Sequence, residues 1–132
     1  MVYVAVPEGI RGLVESRLRE AITIPVPETT LGTIAHDTWS VISPYVDKAD
    51  VLVVGPGMGT HPDTTQFVFD LLSRQRKPVV LDADGINAIE GEAARLEDLE
   101  VPVVITPHSG ELSRLVSKEV PSAPLERIEM TR

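Results

Sequence analysis

Short apolar runs alternate along this chain with segments in which apolar residues recur every three or four positions. The runs are rich in Val, Ile and Leu and predict strands at residues 2–6, 51–54, 79–81 and 101–105, and a short strand or an extended link at 22–26. The helical spacing predicts helices at 8–20, around 39–46, at 63–75, near 86–90, near 93–99 and at 109–118. The Pro-rich, charged tail after residue 121 allows one more helix at its end.

The order of these elements predicts an α/β fold. The strands are apolar throughout rather than alternating, so we expect helices to cover both faces of the sheet. A regular succession of strands and helices favours a three-layer α/β/α architecture with a mainly parallel sheet. With 132 residues and no visible internal boundary, the chain is expected to form at most one domain.

Composition narrows the class of protein. The formal net charge of −8 argues against nucleic acid or an anionic membrane as the main partner. No apolar run approaches the length of a membrane span, and the N-terminus lacks a signal-peptide pattern. The chain has no cysteine, which excludes disulfides, thiolate zinc sites and cysteine nucleophiles, and this fits a cytoplasmic protein.

Three polar loops each follow a predicted strand and precede a predicted helix. They lie at residues 55–60, 82–87 and 106–111. In open α/β sheets the carboxyl ends of parallel strands meet at one edge, and ligands bind there. We therefore expect the three loops to form one site.

The first loop reads G-P-G-M-G-T at 55–60. Its glycines allow a sharp turn and a close approach of the backbone to a ligand, and the following helix could direct free N–H groups at an anion. The spacing matches neither a Walker A loop nor G-x-G-x-x-G. A plain strand-to-helix turn accounts for the loop equally well.

The second loop reads D-A-D-G-I-N at 82–87. Two carboxylates and an amide at the end of a strand could hold a hydrated magnesium ion or a ribose hydroxyl. In the alternative interpretation, Asp84 or Asn87 caps the next helix and Asp82 is solvated. For an isolated pair of aspartates, this second interpretation is the commoner one.

The third loop reads T-P-H-S-G-E at 106–111. His108 could hydrogen-bond a ligand or shuttle a proton. Glu111 is expected near a helix N-terminus, where a carboxylate is favoured and could hold a metal-bound water. Alternatively, Glu111 is a capping residue and His108 a surface residue in a turn. His36 and His61 lie in polar surroundings and are interpreted as surface residues.

Together the loops resemble a known family. V-V-G-P-G-M-G at 53–59, P-V-V-L-D-A-D-G-I-N at 78–87 and I-T-P-H-S-G-E at 105–111 look like the ADP/ATP-dependent NAD(P)H-hydrate dehydratases, in order and spacing as well as in sequence. These enzymes belong to the ribokinase-like superfamily. The first strand is also similar to the family's, so the resemblance covers nearly the whole chain, from this strand to about residue 120.

The resemblance implies a lyase reaction of metabolite repair. The hydrated forms of NADH and NADPH (NADHX and NADPHX) are phosphorylated on the ring hydroxyl by ADP or ATP with Mg²⁺, and phosphate then leaves. The substrate-binding residues that it implies are Gly57, Gly59, Asp82, Asp84, Asn87 and His108. Glu111 matches the family's acidic position near the metal and is expected to hold Mg²⁺ through water.

The chain also departs from the family pattern. The family's N-terminal Gly-rich segments and its C-terminal Gly-x-Gly-Asp motif, which carries the catalytic aspartate, have no counterpart here, so no catalytic residue is identified. We expect residues 1–132 to be a single partial ribokinase-like domain, weak or inactive alone. Sheet edges and apolar surfaces left without cover predict a homo-oligomer or a companion segment.

Two alternatives remain open at this stage. One is a ribokinase-like kinase for a small molecule such as a vitamin precursor or a carbohydrate, against which His108 and the 82–87 loop favour the dehydratase. The other is a non-catalytic module that binds a dinucleotide, which the absence of the aspartate motif supports.

Overall fold

The structure is a computed structural model that describes residues 1–130, apart from the side chains of Arg127 and Met130. Its strands are β1 (Val2–Pro7), β2 (Ala21–Val26), β3 (Leu52–Val54), β4 (Val79–Leu81) and β5 (Val103–Ile105). Its α-helices are α1 (Arg11–Glu15), α2 (Trp39–Val46), α3 (Pro62–Arg74), α4 (Asp84–Asn87), α5 (Ser109–Val116) and α6 (Pro124–Met130). Short 3₁₀ turns lie at Glu8–Ile10, His36–Thr38 and Ala93–Leu96.

The strands form two parallel sheets. β1 pairs with β2 from Val2 opposite Ala21 onward, and β3, β4 and β5 lie side by side in that order. The predicted α/β class with parallel strands is therefore confirmed. The two sheets contribute to one buried cluster, in which Ile24 and Val26 of β2 lie with Val54 and Leu81 of the second sheet.

The second sheet has one covered face and one open face. Its in-register row Val53, Val80 and Val104 points to the open face, where Val53 is 66% and Val104 56% exposed. On the covered face Val54 is 5% exposed and Leu81 fully buried. The expectation that helices cover both faces is thus wrong for this sheet within residues 1–130.

Strand order gives the physical reason for the open face. From β3 to β5 the chain moves across the sheet in one direction, and crossovers between parallel strands are right-handed as a rule. Two such crossovers in succession place their helices on the same face. Apolar residues of α3 and of the segment after β4 accordingly lie in the same buried cluster as Val54 and Leu81, among them Phe67, Val68, Leu71, Ile86 and Ile89.

The segment after β1 differs most from expectation. The predicted helix at 8–20 is reduced to a 3₁₀ turn and the short α1. Leu13 is 61% exposed, so the apolar spacing is present without a core to pack on in the part of the chain described. Gly9 and Gly12 lower the helix propensity, and the Gly9 N–H donates to the Glu28 carboxylate at 2.8 Å.

The other helices agree more closely with the pattern. α2 forms with Pro44 inside it, and α3, α5 and α6 appear near their predicted positions. The helix expected near 86–90 begins earlier, at Asp84, and the one near 93–99 is a 3₁₀ turn. None of the helices described is long and apolar enough to cross a membrane.

Candidate functional site

The three loops meet at the carboxyl ends of β3, β4 and β5. The Asp82 N–H donates to the Val54 carbonyl at 3.0 Å, which joins the second loop to the end of β3. The Thr106 N–H donates to the Leu81 carbonyl at 3.1 Å, which joins the third loop to the end of β4. The ladder of the parallel sheet therefore continues into the loops and brings them together as predicted.

Gly55 and Gly85 allow the first two loops to touch through their backbones. Gly55 has φ of +130°, and a Cβ there would lie 1.7 Å from the Asp82 carbonyl oxygen. A Cβ on Gly85 would lie 2.5 Å from the Val54 carbonyl oxygen. Only glycine fits at this crossing, so these two residues build the site rather than face a ligand.

Gly57 and Gly59 also have positive φ, of +70° and +78°. Gly57 is exposed, and a Cβ on it would meet no atom within 4 Å. A Cβ on Gly59 would instead lie 2.7 Å from the Thr33 methyl group. The backbone at Gly57 is thus open to a ligand, whereas Gly59 packs against the loop that follows β2.

Asp84 clamps the glycine-rich loop. Its Oδ2 accepts a hydrogen bond from the Gly59 N–H at 2.8 Å, and its Oδ1 accepts one from the Asn87 side-chain amide at 3.3 Å. The N-cap of α4 is Ala83, which makes no side-chain cap bond, so Asp84 joins two loops instead of capping a helix. Ala83 itself has φ of +46° and ψ of −118°, a strained conformation for a residue with a Cβ.

Asp82 faces the third loop. Its Oδ1 accepts a hydrogen bond from the Thr106 hydroxyl at 2.8 Å, and the same hydroxyl lies 3.3 Å from the Leu81 carbonyl. Asp82 is therefore half-buried and bonded, not simply solvated as one interpretation of the loop had it.

His108 and Glu111 form a reciprocal cap at the start of α5. His108 Nδ1 accepts the N–H groups of Gly110 at 3.0 Å and of Glu111 at 3.3 Å. Glu111 Oε2 accepts the His108 N–H at 2.9 Å, and Glu111 Oε1 lies 3.3 Å from His108 Nε2. Glu111 is buried, at 7% exposed, whereas the His108 side chain is 67% exposed.

These bonds assign the protonation state that fits the cap. Because Nδ1 of His108 accepts, the proton of the neutral ring is on Nε2, which lies 3.3 Å from Glu111 Oε1. The buried carboxylate at the helix N-terminus is favoured by the orphan N–H groups there. The capping interpretation of Glu111 is what the structure contains, and the His108 side chain beside it stays largely exposed.

Two neighbours of the site carried no clear signal in the sequence. The Arg114 Nη2 donates to Asn87 Oδ1 at 2.7 Å, and Arg114 follows Glu111 by three residues, which places both on adjacent turns of α5. The three-residue spacing from Glu111 is the one signal in the sequence that could have placed Arg114 beside the site. Thr33 contacts Gly59 from a loop that is distant in sequence, and it also receives a hydrogen bond from the Thr64 hydroxyl at 2.9 Å.

A family model described as NAD(P)H-hydrate dehydratase matches residues 1–131. The chain belongs to this family. Among its relatives is a bifunctional NAD(P)H-hydrate repair enzyme of Moorella thermoacetica, 34% identical over 130 residues, which cover 98% of this chain and 24% of that protein. Another, from Salinibacter ruber, is 40% identical over 115 residues, which cover 86% of this chain and 21% of that protein.

The fold agrees with this membership of the NAD(P)H-hydrate dehydratase family. A ribokinase-like superfamily protein of Enterococcus faecalis superimposes with a TM-score of 0.73 at 20% identity, over 98% of this chain and 43% of that one. The predicted family and the ribokinase-like fold are both confirmed. The chain spans about a quarter of the length of the bifunctional relatives that it matches.

Family membership raises the question of a magnesium site. The residues that the structure describes contain no group of three or more His, Cys, Asp or Glu side chains placed to hold a metal ion. Asp84 and Glu111 already accept backbone N–H groups. These side chains do not build a metal site of their own, so an ion here would need most of its oxygen ligands from water and phosphate.

Proposed function

We propose that this chain provides the dinucleotide-binding side of an NAD(P)H-hydrate dehydratase, within one part of a ribokinase-like domain. The observation that carries the proposal is the clamp between the first two loops. Asp84 holds the Gly59 N–H at 2.8 Å, while the neighbouring Gly57 backbone faces open space. The N–H groups of Met58 and Gly59 are held by the Gly55 carbonyl and by Asp84. The turn is therefore fixed, and the Gly57 backbone is the part of it that an anionic ligand can approach closely on a chain with net charge −8.

The proposed native reaction is the nucleotide-dependent dehydration of hydrated NADH or NADPH. ADP or ATP would be the phosphoryl donor and Mg²⁺ the ion that accompanies its phosphates, with Glu111 facing that ion through water. His108 would contact the dinucleotide with its largely exposed side chain. Asp82, Asp84 and Asn87 would form the floor of the site, chiefly by holding the loops in place. We further propose the cytoplasm as the compartment, with which a chain that has no cysteine for disulfides is compatible.

Binding and turnover can be measured on the chain as it stands. Hydrated NADH is titrated by calorimetry, and the return of reduced-nicotinamide absorbance is then followed with Mg²⁺ and either ADP or ATP. We expect binding of hydrated NADH with little or no turnover, because the family's Gly-x-Gly-Asp motif is absent from the sequence. A thiazole alcohol serves as the probe for the alternative kinase of a vitamin precursor. A folded chain that binds this alcohol but not hydrated NADH would favour the kinase alternative and contradict this proposal.

Gly57→Ala tests whether the open backbone contacts the ligand. We expect affinity for hydrated NADH to fall roughly tenfold, as when one close contact is lost. Gly91→Ala is the matched control, since Gly91 has φ of +71° against +70° for Gly57 and a Cβ would meet no atom within 4 Å at either position. Both variants should lose similar stability, about 1 kcal/mol. Equal affinities in the two variants would show that the Gly57 backbone does not face the dinucleotide.

We also propose that the open face of the second sheet associates with another copy or with a companion segment. Val53 and Val104 are exposed at the two ends of an apolar row that has Val80 in the middle, and such a surface favours association. Light scattering after size exclusion should give a mass that rises above the monomer with concentration. Val53→Lys with Val104→Lys should restore the monomer, whereas Leu31→Lys, at a residue 75% exposed in the loop after β2, should not. A monomer at all concentrations would contradict association between copies.

A further inference from the structure

We infer that Arg114 is a positioning residue for the glycine-rich loop, which it reaches through the side chains of Asn87 and Asp84. Its effect on ligand affinity depends on the proposed dinucleotide site. Its effect on the loop itself does not, because that effect is a property of the free chain.

The contacts form a continuous relay from α5 through the second loop to the first. Arg114 Nη2 donates to Asn87 Oδ1 at 2.7 Å. The Asn87 Nδ2 donates to Asp84 Oδ1 at 3.3 Å, and Asp84 Oδ2 accepts the Gly59 N–H at 2.8 Å. A cation on α5 is thereby connected to the backbone of the loop after β3.

The relay fixes the orientation of the Asn87 amide. An amide has an acceptor on one end and donors on the other, so only one of its two orientations satisfies both Arg114 and Asp84. With Arg114 removed, the Asn87 oxygen loses its charged donor and the amide is free to turn. Asp84 would then lose the bond that holds its carboxylate against Gly59. Charge-assisted bonds at both ends make the relay stronger than a chain of neutral groups.

The surroundings of Arg114 favour an arginine over a lysine. While Nη2 bonds Asn87, Nε lies 4.0 Å from Glu90 Oε2. The planar guanidinium directs N–H groups of two different nitrogen atoms at these two side chains in a fixed geometry, whereas an ammonium would have to reach both from a single nitrogen atom. Arg114 Nη1 also lies close to Gly110, since a Cβ on Gly110 would be 3.6 Å from this nitrogen. Arg114 thus lies over the loop that carries His108, with its side chain still 43% exposed.

The first test needs no ligand. The hydrogen-exchange rate of the Gly59 amide is measured by NMR in the wild-type chain, in Arg114→Gln and in Arg74→Gln. Arg74 is the matched control, because it is an exposed arginine of α3 whose side chain pairs with Asp70 of the same helix at 3.5 Å. We expect Gly59 to exchange roughly fivefold to tenfold faster in Arg114→Gln, the effect of one weakened hydrogen bond. The control should leave the rate unchanged.

Arg114→Lys keeps the charge and guards against a variant that fails to fold. It should speed exchange at Gly59 by a smaller factor than Arg114→Gln, since the charge is kept and only the planar guanidinium is lost. Exchange at Gly59 that matches the wild type in both Arg114 variants would overturn the inference. Equal acceleration at all amides would do the same, because it would show a general loss of stability rather than a local relay.

The second test is a double-mutant cycle with hydrated NADH as the probe. Arg114→Gln and Asp84→Asn are compared with the double variant. If Arg114 acts through Asp84, the double variant should bind no more than about twofold more weakly than Asp84→Asn alone, whereas independent residues would multiply their effects. Faster exchange at Gly59 together with no binding by any chain would support the relay and overturn the proposed function.

Discussion

Replacing Gly55 by alanine should remove a large part of the stability of the chain. The new Cβ would lie 1.7 Å from the Asp82 carbonyl oxygen and 2.5 Å from the Gly85 nitrogen, and neither backbone atom can move without breaking the junction of β3 and β4. The φ of +130° is also costly for any residue with a Cβ. We expect a loss of about 4 kcal/mol or more, against a total of about 5–15 kcal/mol for a domain.

Urea unfolding followed by circular dichroism measures this effect. Gly12→Ala is the control, because a Cβ at Gly12, in α1, would meet no atom within 4 Å. That variant should match the wild type or gain up to about 1 kcal/mol, the difference in helix propensity between the two residues. A Gly55→Ala chain with a wild-type midpoint would mean that the first two loops do not cross as described.

The second large effect is expected at Leu81. It is fully buried in the central strand β4, and Leu81→Ala should cost about 2–5 kcal/mol, as large-to-small core substitutions do. Val104→Ala, on the open row and 56% exposed, should change stability by less than about 0.5 kcal/mol.

Comparing Leu81→Ala with Val104→Ala tests which face of the second sheet is buried. Unfolding should be measured at low protein concentration, so that association does not contribute to the stability of the open face. A loss at Val104 as large as that at Leu81 would indicate that the open face is covered in the free chain. It would also remove the basis for the proposed association.

Much of the fold follows from local patterns. Apolar runs of three to five residues mark the strands, and the spacing of residues such as Phe67, Val68 and Leu71 marks α3, because burial on one face requires that period. The face that stays open does not follow from the strands, since an apolar run in β3 or β5 reads the same whether one side or both are covered. Strand order and crossover handedness decide it, and a single run carries neither.

The site was predictable only in outline. Convergence of the three loops follows from the parallel arrangement of their strands, and their motifs identify the family. The bonding partners do not follow, because Asp84 reaches a residue 25 positions earlier and Arg114 one 27 positions earlier. An aspartate that clamps a loop and one that binds a ligand look the same in the sequence.

The clamp at Asp84 also limits how this sequence can be recombined. The loop at 55–60 takes its shape from Asp84, which belongs to the next strand–loop–helix unit. Asp84 is held in turn, through Asn87, by Arg114 of the third unit. Grafted alone onto another scaffold, the glycine-rich segment would bring its flexibility but not its conformation. The smallest transferable piece of this site is therefore three consecutive strand–loop–helix units and not a motif.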